Sequence, residues 1–149
     1  MDSEAATLIV RAVLSLGRRL RTEGPEGSIS LSALSILATL YRVGSVPAVR
    51  LAAEERLQPQ SLTRLIAGLE RDGLIVRTPG ETDRRELTIH LTARGLETLA
   101  ADIRARRHWL ERAMAATLTE DESATLLRAS EAMLKLAGQS AGPTRRDDE

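Results

Sequence analysis

The 149-residue sequence has no cysteine. That excludes disulfide scaffolds, thiolate metal sites, iron–sulfur clusters and cysteine-based redox sensing together. It has no phenylalanine, and Tyr41 and Trp109 are its only aromatics, so a core must be built from Leu, Ile, Val and Ala. Stacking platforms for single-stranded nucleic acid are not expected. Long apolar runs are missing too, and the N-terminus opens with Asp2 and Glu4 rather than a basic head. Neither a membrane span nor a signal peptide is expected, and the expected location is cytoplasmic, with no membrane partner. An excess of one charge is also absent: 21 basic side chains face 21 acidic ones. A globally cationic binding mode is thereby excluded, and any nucleic-acid contact must come from local clustering. Lysine is reduced to Lys135 among arginines, a bias for which GC-rich codon usage is the plain cause.

What is present is helical periodicity on a length that suits one domain, or one domain with an arm. Ala5, Leu8, Ile9, Ala12, Val13, Leu16 and Leu20 predict an amphipathic helix over 4–22, closed by Gly24-Pro25. A second helix is expected over 30–42, with Leu34, Leu37, Ala38 and Tyr41 on one stripe and Gly44 past its end. Pro47 suits the first turn of a short helix ending near Arg56, with Val49, Ala52 and Ala53 turned inward. Gln58-Pro59 opens a further helix with an apolar stripe of Leu62, Leu65, Ile66 and Leu69, stopped by Gly73. The period then changes to two. Leu74-Ile75-Val76 starts one strand and Leu87, Ile89 and Leu91 alternate in another, joined by residues 79–85 as a hairpin. Thr92 is a suitable N-cap for a long helix to about Ala116, with Leu96, Leu99, Ala100, Ile103, Leu110 and Met114 as its stripe. Thr119 to Glu122 form a capping box before a last helix that turns Leu126, Leu127, Ser130, Met133, Leu134 and Ala137 inward. Residues 139–149 lack apolar content and are expected to be disordered.

Two short helices, the second with a polar outer face, followed directly by a hairpin with arginines at its tip, have the order of a winged helix-turn-helix. A helix about 10–12 Å across fits the major groove of B-DNA, where donor and acceptor patterns distinguish the base pairs. Residues 59–72 supply that helix, and Gln60, Ser61, Thr63 and Arg64 occupy its first turns, where base edges and phosphates are reached. Arg64 is the candidate for a bidentate guanine contact. Arg84 and Arg85 at the hairpin tip suit the narrow minor groove. Asp83 is expected to hold one of these arginines by charge-assisted hydrogen bonds.

Leu51-Ala52, Ser61-Leu62-Thr63-Arg64-Leu65, Leu69 through Arg77, Asp83-Arg84-Arg85 and Leu91-Thr92-Ala93-Arg94-Gly95 together resemble the MarR family of bacterial transcriptional regulators. The resemblance covers residues 30–95 closely. It implies a mainly α fold with a small β-hairpin wing, in which a winged helix-turn-helix core is flanked by N- and C-terminal dimerisation helices. It implies a homodimer on an inverted-repeat operator, usually a repressor, often relieved by a small lipophilic or phenolic ligand. The corresponding division is 1–29 for an N-terminal dimerisation helix and loop, 30–95 for the DNA-binding core, 96–138 for C-terminal dimerisation helices and 139–149 for a tail. Two departures stand out. Val46 and Gln58 replace common Ser or Thr caps, and Arg56 stands where a turn glycine is common, so a positive φ there would carry strain.

Dimerisation also has a hydrophobic argument. Three flanking helices carry apolar stripes that a winged core of about 65 residues cannot cover, and a partner subunit is the natural cover. Tyr41, His108 and Trp109 are candidates for lining a ligand cavity, against ordinary packing as the alternative. His90 and His108 lack the companions a zinc site needs. Arg104, Arg106 and Arg107 are expected to form a solvated or inter-subunit charged face. No phosphate-binding glycine loop, nucleophile elbow or zinc-protease helix is present, so neither enzymatic activity nor a cofactor is expected. The competing reading is a winged-helix protein-interaction module that binds no operator.

Overall fold

The computed structural model describes residues 2–138. In chain order the elements are α1 (Ser3–Thr22), α2 (Leu31–Val43), β1 (Val46–Pro47), α3 (Ala48–Glu55), α4 (Pro59–Arg71), β2 (Ile75–Pro79), β3 (Leu87–Leu91), α5 (Ala93–Thr117) and α6 (Glu120–Leu136). The expected tail, residues 139–149, lies outside the described residues. The chain divides into two compact units, residues 1–107 and 108–149.

The core of the first unit is aliphatic, as the missing phenylalanine requires. Ile36, Leu37 and Leu40 of α2 pack with Leu51 of α3, Leu62, Ile66 and Leu69 of α4, Ile75 of β2, Ile89 of β3 and Leu99 of α5. Each contributes about 1.5–3 kcal/mol of transfer free energy, which is what holds three short helices that would be marginal alone. The sheet is antiparallel in the order β1-β3-β2, with Val46 opposite Ile89 and Ile75 opposite Leu91. The two strands of the expected hairpin are β2 and β3; β1 is additional, and at two residues it is too short for any alternation to show. Towards its tip the hairpin leaves the core, since Pro79 pairs with Leu87 and Leu87 is exposed.

The junction of wing and α5 explains the Leu-Thr-x-x-Gly segment. The Thr92 hydroxyl donates to the Gly73 carbonyl at 2.7 Å and accepts from the Gly95 N–H at 3.0 Å, capping α5 while fastening it to the end of α4. A Cβ at position 95 would lie 2.1 Å from the Leu74 carbonyl oxygen, so only glycine permits this approach.

Several inward assignments need correction. On α3, Leu51 is fully buried whereas Val49 and Ala53 are exposed. Pro47 precedes the helix as its N-cap instead of lying in its first turn. On α5 the face turned to the core is Gly95, Leu99, Asp102 and Arg106, while Leu96 and Ile103 are exposed. Arg106 is therefore no part of a solvated face. Its guanidinium pairs with Asp102 and donates to the Leu20 carbonyl at the end of α1, so its charge and its donors are answered inside the fold. The sequence places Arg56 correctly as a conditional strain. It is the one non-glycine residue with positive φ among the described residues, at φ 50° and ψ 37°. Its N–H bonds the Ala53 carbonyl and that of Leu57 bonds the Ala52 carbonyl, a Schellman closure that costs a non-glycine residue about 1–2 kcal/mol.

α1 buries none of its residues, and Leu8, Ile9, Val10, Val13, Leu14 and Leu16 are exposed along it. In the second unit, α6 begins with the expected capping box of Thr119 and Glu122, but Leu127, Met133, Leu134 and Ala137, expected inward, are exposed, as is Leu136. The two bonds from Thr119, the backbone one foremost, hold the Glu122 carboxyl below the usual glutamate value. No helix among the described residues is long and apolar enough to cross a membrane.

Candidate nucleic-acid interface

α4 is two-faced, and the division follows its sequence. Leu62, Ile66 and Leu69 are buried; Gln60, Ser61, Thr63 and Arg64 are all exposed. Pro59 occupies the first turn, where its missing N–H costs nothing. Gln58, as the N-cap, makes no side-chain bond to the helix. The first N–H groups of α4 therefore have no cap from the Gln58 side chain, and the helix dipole adds partial positive charge there. Thr63 donates its hydroxyl to the Pro59 carbonyl at 2.8 Å, so it is left with acceptor capacity only. The Arg64 guanidinium keeps all of its donors, having no ion pair or hydrogen bond among the described residues.

The wing loop is built around Gly80 and Asp83. Gly80 N–H bonds the Glu86 carbonyl at 2.6 Å, and a Cβ at Gly80 would sit 2.6 Å from the Asp83 carbonyl oxygen. Asp83 does not hold an arginine guanidinium. Its Oδ1 accepts from the Arg85 backbone N–H at 2.9 Å, a short-range turn that competes successfully with ion pairing because its geometry is local. Asp83, Arg84 and Arg85 are exposed, and both guanidinium groups lack an ion pair among the described residues. The tip therefore carries two uncommitted cations on a turn ordered by their acidic neighbour.

Two couplings that tie the wing to the rest of the fold escaped sequence reasoning, one to α4 and one to the turn before β1. Arg77 on β2 donates from Nε and Nη2 to both Glu70 oxygens, at 2.8 and 2.7 Å. These bonds hold the Glu70 carboxyl below its ordinary value and raise Arg77 further. The planar, two-bond contact fixes orientation as well as distance between α4 and β2. His90 on β3 lies 2.7 Å from Thr78 Oγ1 and 2.7 Å from Ser45 Oγ, bridging both wing strands to the turn before β1. Neither pair has a helical or strand spacing, and only their place beside the recognisable motifs could have suggested them.

Tyr41 on α2 is exposed, His108 is exposed and Trp109 is half-buried. Among the described residues no group of three or more His, Asp or Glu could hold a metal ion.

Residues 29–87 match the model of the MarR family. An uncharacterized HTH-type transcriptional regulator of Mycobacterium leprae is 38% identical over 140 residues, spanning 93% of this chain and 96% of the relative. An HTH-type transcriptional regulator of Mycobacterium tuberculosis is 37% identical over 139 residues, with 93% and 96% covered. Among solved structures, a Pseudomonas aeruginosa protein described as a transcriptional regulator is 35% identical, with 91% of this chain and 95% of that chain covered and a TM-score of 0.72. A mutant MarR from E. coli complexed with operator DNA shares the fold at 22% identity and a TM-score of 0.71, with 89% and 94% covered.

Proposed function

Because this chain belongs to the MarR family of transcriptional regulators, we propose that it binds a pseudopalindromic DNA operator as a homodimer and represses transcription from it. The observation that carries this reading is the division of α4, whose Gln60, Ser61, Thr63 and Arg64 face outward over a buried Leu62, Ile66 and Leu69. In this reading α4 enters the major groove and Arg64 makes a bidentate contact to guanine, while Gln60, Ser61 and Thr63 contact base edges or phosphates. Arg84 and Arg85, on the turn that Asp83 orders, enter the flanking minor groove. The uncapped start of α4 favours phosphate in the same place. The E. coli MarR bound to operator DNA supports duplex DNA as the partner.

The division of labour follows the sequence: residues 30–95 bind DNA, while residues 1–29 and 96–138 join two copies. The exposed apolar residues of α1, with Leu8, Val10 and Leu14 each more than half accessible, support a second copy as their cover. A small lipophilic or phenolic ligand relieves repression, with Tyr41, His108 and Trp109 as its candidate contacts.

Selection of duplexes from a random-sequence library by the full chain, followed by binding titrations at two salt concentrations, tests the central claim. An enriched inverted repeat bound with a steep salt dependence is the expected result. No binding at low salt overturns it and favours the protein-interaction module.

A further inference from the structure

Within the helix-turn-helix every acidic side chain is already engaged. Glu54 pairs with Arg42, Glu70 with Arg77 and Asp72 with Arg71, while Glu55 accepts from the hydroxyls of Ser35 and Thr39. The exposed arginines Arg50, Arg56 and Arg64 have no ion pair or hydrogen bond to their side chains among the described residues. Each carboxylate of the α3–α4 segment thus has a partner within the fold, whereas these three guanidinium groups have none among the described residues. Arg56 is the informative one. Its backbone closes α3 in the left-handed region, the conformation that suits glycine. Its side chain is exposed and makes no hydrogen bond or ion pair among the described residues, while the neighbouring Leu57 packs against the core. A strained, exposed residue whose guanidinium has no partner among the described residues points to a ligand outside the chain.

We propose that Arg56 is a phosphate contact of the DNA backbone, set in the turn just before α4 so that a cation stands beside the point where that helix enters the groove. This rests on the operator-binding reading and adds to it a contact outside both the recognition helix and the wing. Phosphate contact carries no base information, so its loss weakens all sequences alike.

The test compares the full-length wild type with Arg56→Gly and Arg56→Lys by fluorescence anisotropy. One probe is a labelled duplex of the sequence selected by the wild type, the other a random-sequence duplex, each across a salt series. Arg56→Gly is expected to bind both duplexes about 3- to 10-fold more weakly, with the slope of log affinity against log salt shallower by about one. Its melting temperature is expected to equal or exceed that of the wild type, because glycine suits the backbone better. Arg56→Lys is expected to retain most of the affinity and the full slope. Unchanged affinity and slope in Arg56→Gly, with the wild type binding, overturn the proposal alone. A lowered melting temperature with equal losses in both variants also overturns it, in favour of a structural role. A wild type that binds neither duplex at low salt overturns the operator-binding reading itself, and this proposal with it.

Discussion

Glu70 and Arg77 show how a single pair can join two functional parts. The carboxyl is held low by hydrogen bonds from Arg77, so the tether is fully present above the unfolded glutamate value of about 4.3 and is lost as pH falls through the lower folded value. The Glu70 carboxyl resonance should therefore titrate below the ordinary glutamate range in NMR, and Arg77→Gln should return it to that range. A Glu70 that titrates normally in the wild type would contradict the tether. Gly95 makes a prediction of opposite sign to helix propensity. An exposed helical glycine gains about 0.5–1 kcal/mol on replacement by alanine. Here the new methyl meets the Leu74 carbonyl oxygen at 2.1 Å. Gly95→Ala should instead destabilise by about 1–3 kcal/mol in thermal unfolding; a gain in melting temperature would show that the approach is looser than this. These residues also mark where sequence reading stops. Thr92 and Gly95 are visible as a motif, whereas Asp102 and Arg106 are not visible as core, because no pattern rule places charges on an inward face. Each is tolerated there only because the other lies one helical turn away.

In the proposed reading α4 and the wing divide the work of binding, so their variants should differ in kind. Arg64→Ala should cost about 1–3 kcal/mol on the selected duplex and relax preference at one base position. Arg84→Ala and Arg85→Ala should weaken selected and random duplexes alike, each reducing the salt slope by about one. Identical profiles for all three would refute this assignment of roles. Both elements were legible from the sequence for a simple reason. The three-and-four spacing of Leu62, Ile66 and Leu69 and the alternation of Leu87, Ile89 and Leu91 follow from backbone periods that need no tertiary contact. β1 was not legible, and neither was the inward face of α3 and of α5. In α3 the choice between Val49 and Leu51 depends on how an eight-residue helix is rotated against α2, and a helix so short offers too few positions for a stripe to decide it.

For the chain as a whole, the question is what covers the apolar face of α1. α1 exposes Leu8, Ile9, Val10, Val13, Leu14 and Leu16 and buries nothing, more apolar surface than an isolated helix in water sustains. Sedimentation equilibrium at low micromolar concentration should report twice the 16.2 kDa chain mass. Paired Leu8→Glu and Leu14→Glu should shift it to the single chain. A 16.2 kDa species for the wild type would remove the dimer. With two copies, the selected operator should carry half-sites about 10–10.5 base pairs apart centre to centre, or a multiple of that spacing. The amino-acid order alone settles the types of the longer elements, the Thr92 and Thr119 caps, the wing motif and the exclusion of thiol chemistry, since each depends on composition or on neighbours a few residues away. Packing in three dimensions decides which apolar stripe faces inward. It also decides that Arg106 is buried with Asp102, that Asp83 serves the backbone rather than a guanidinium, and that Glu70 and His90 bind the wing to the rest. Those outcomes depend on partners distant in the chain, whose approach is set by the joint burial of all the aliphatic side chains and by no local rule.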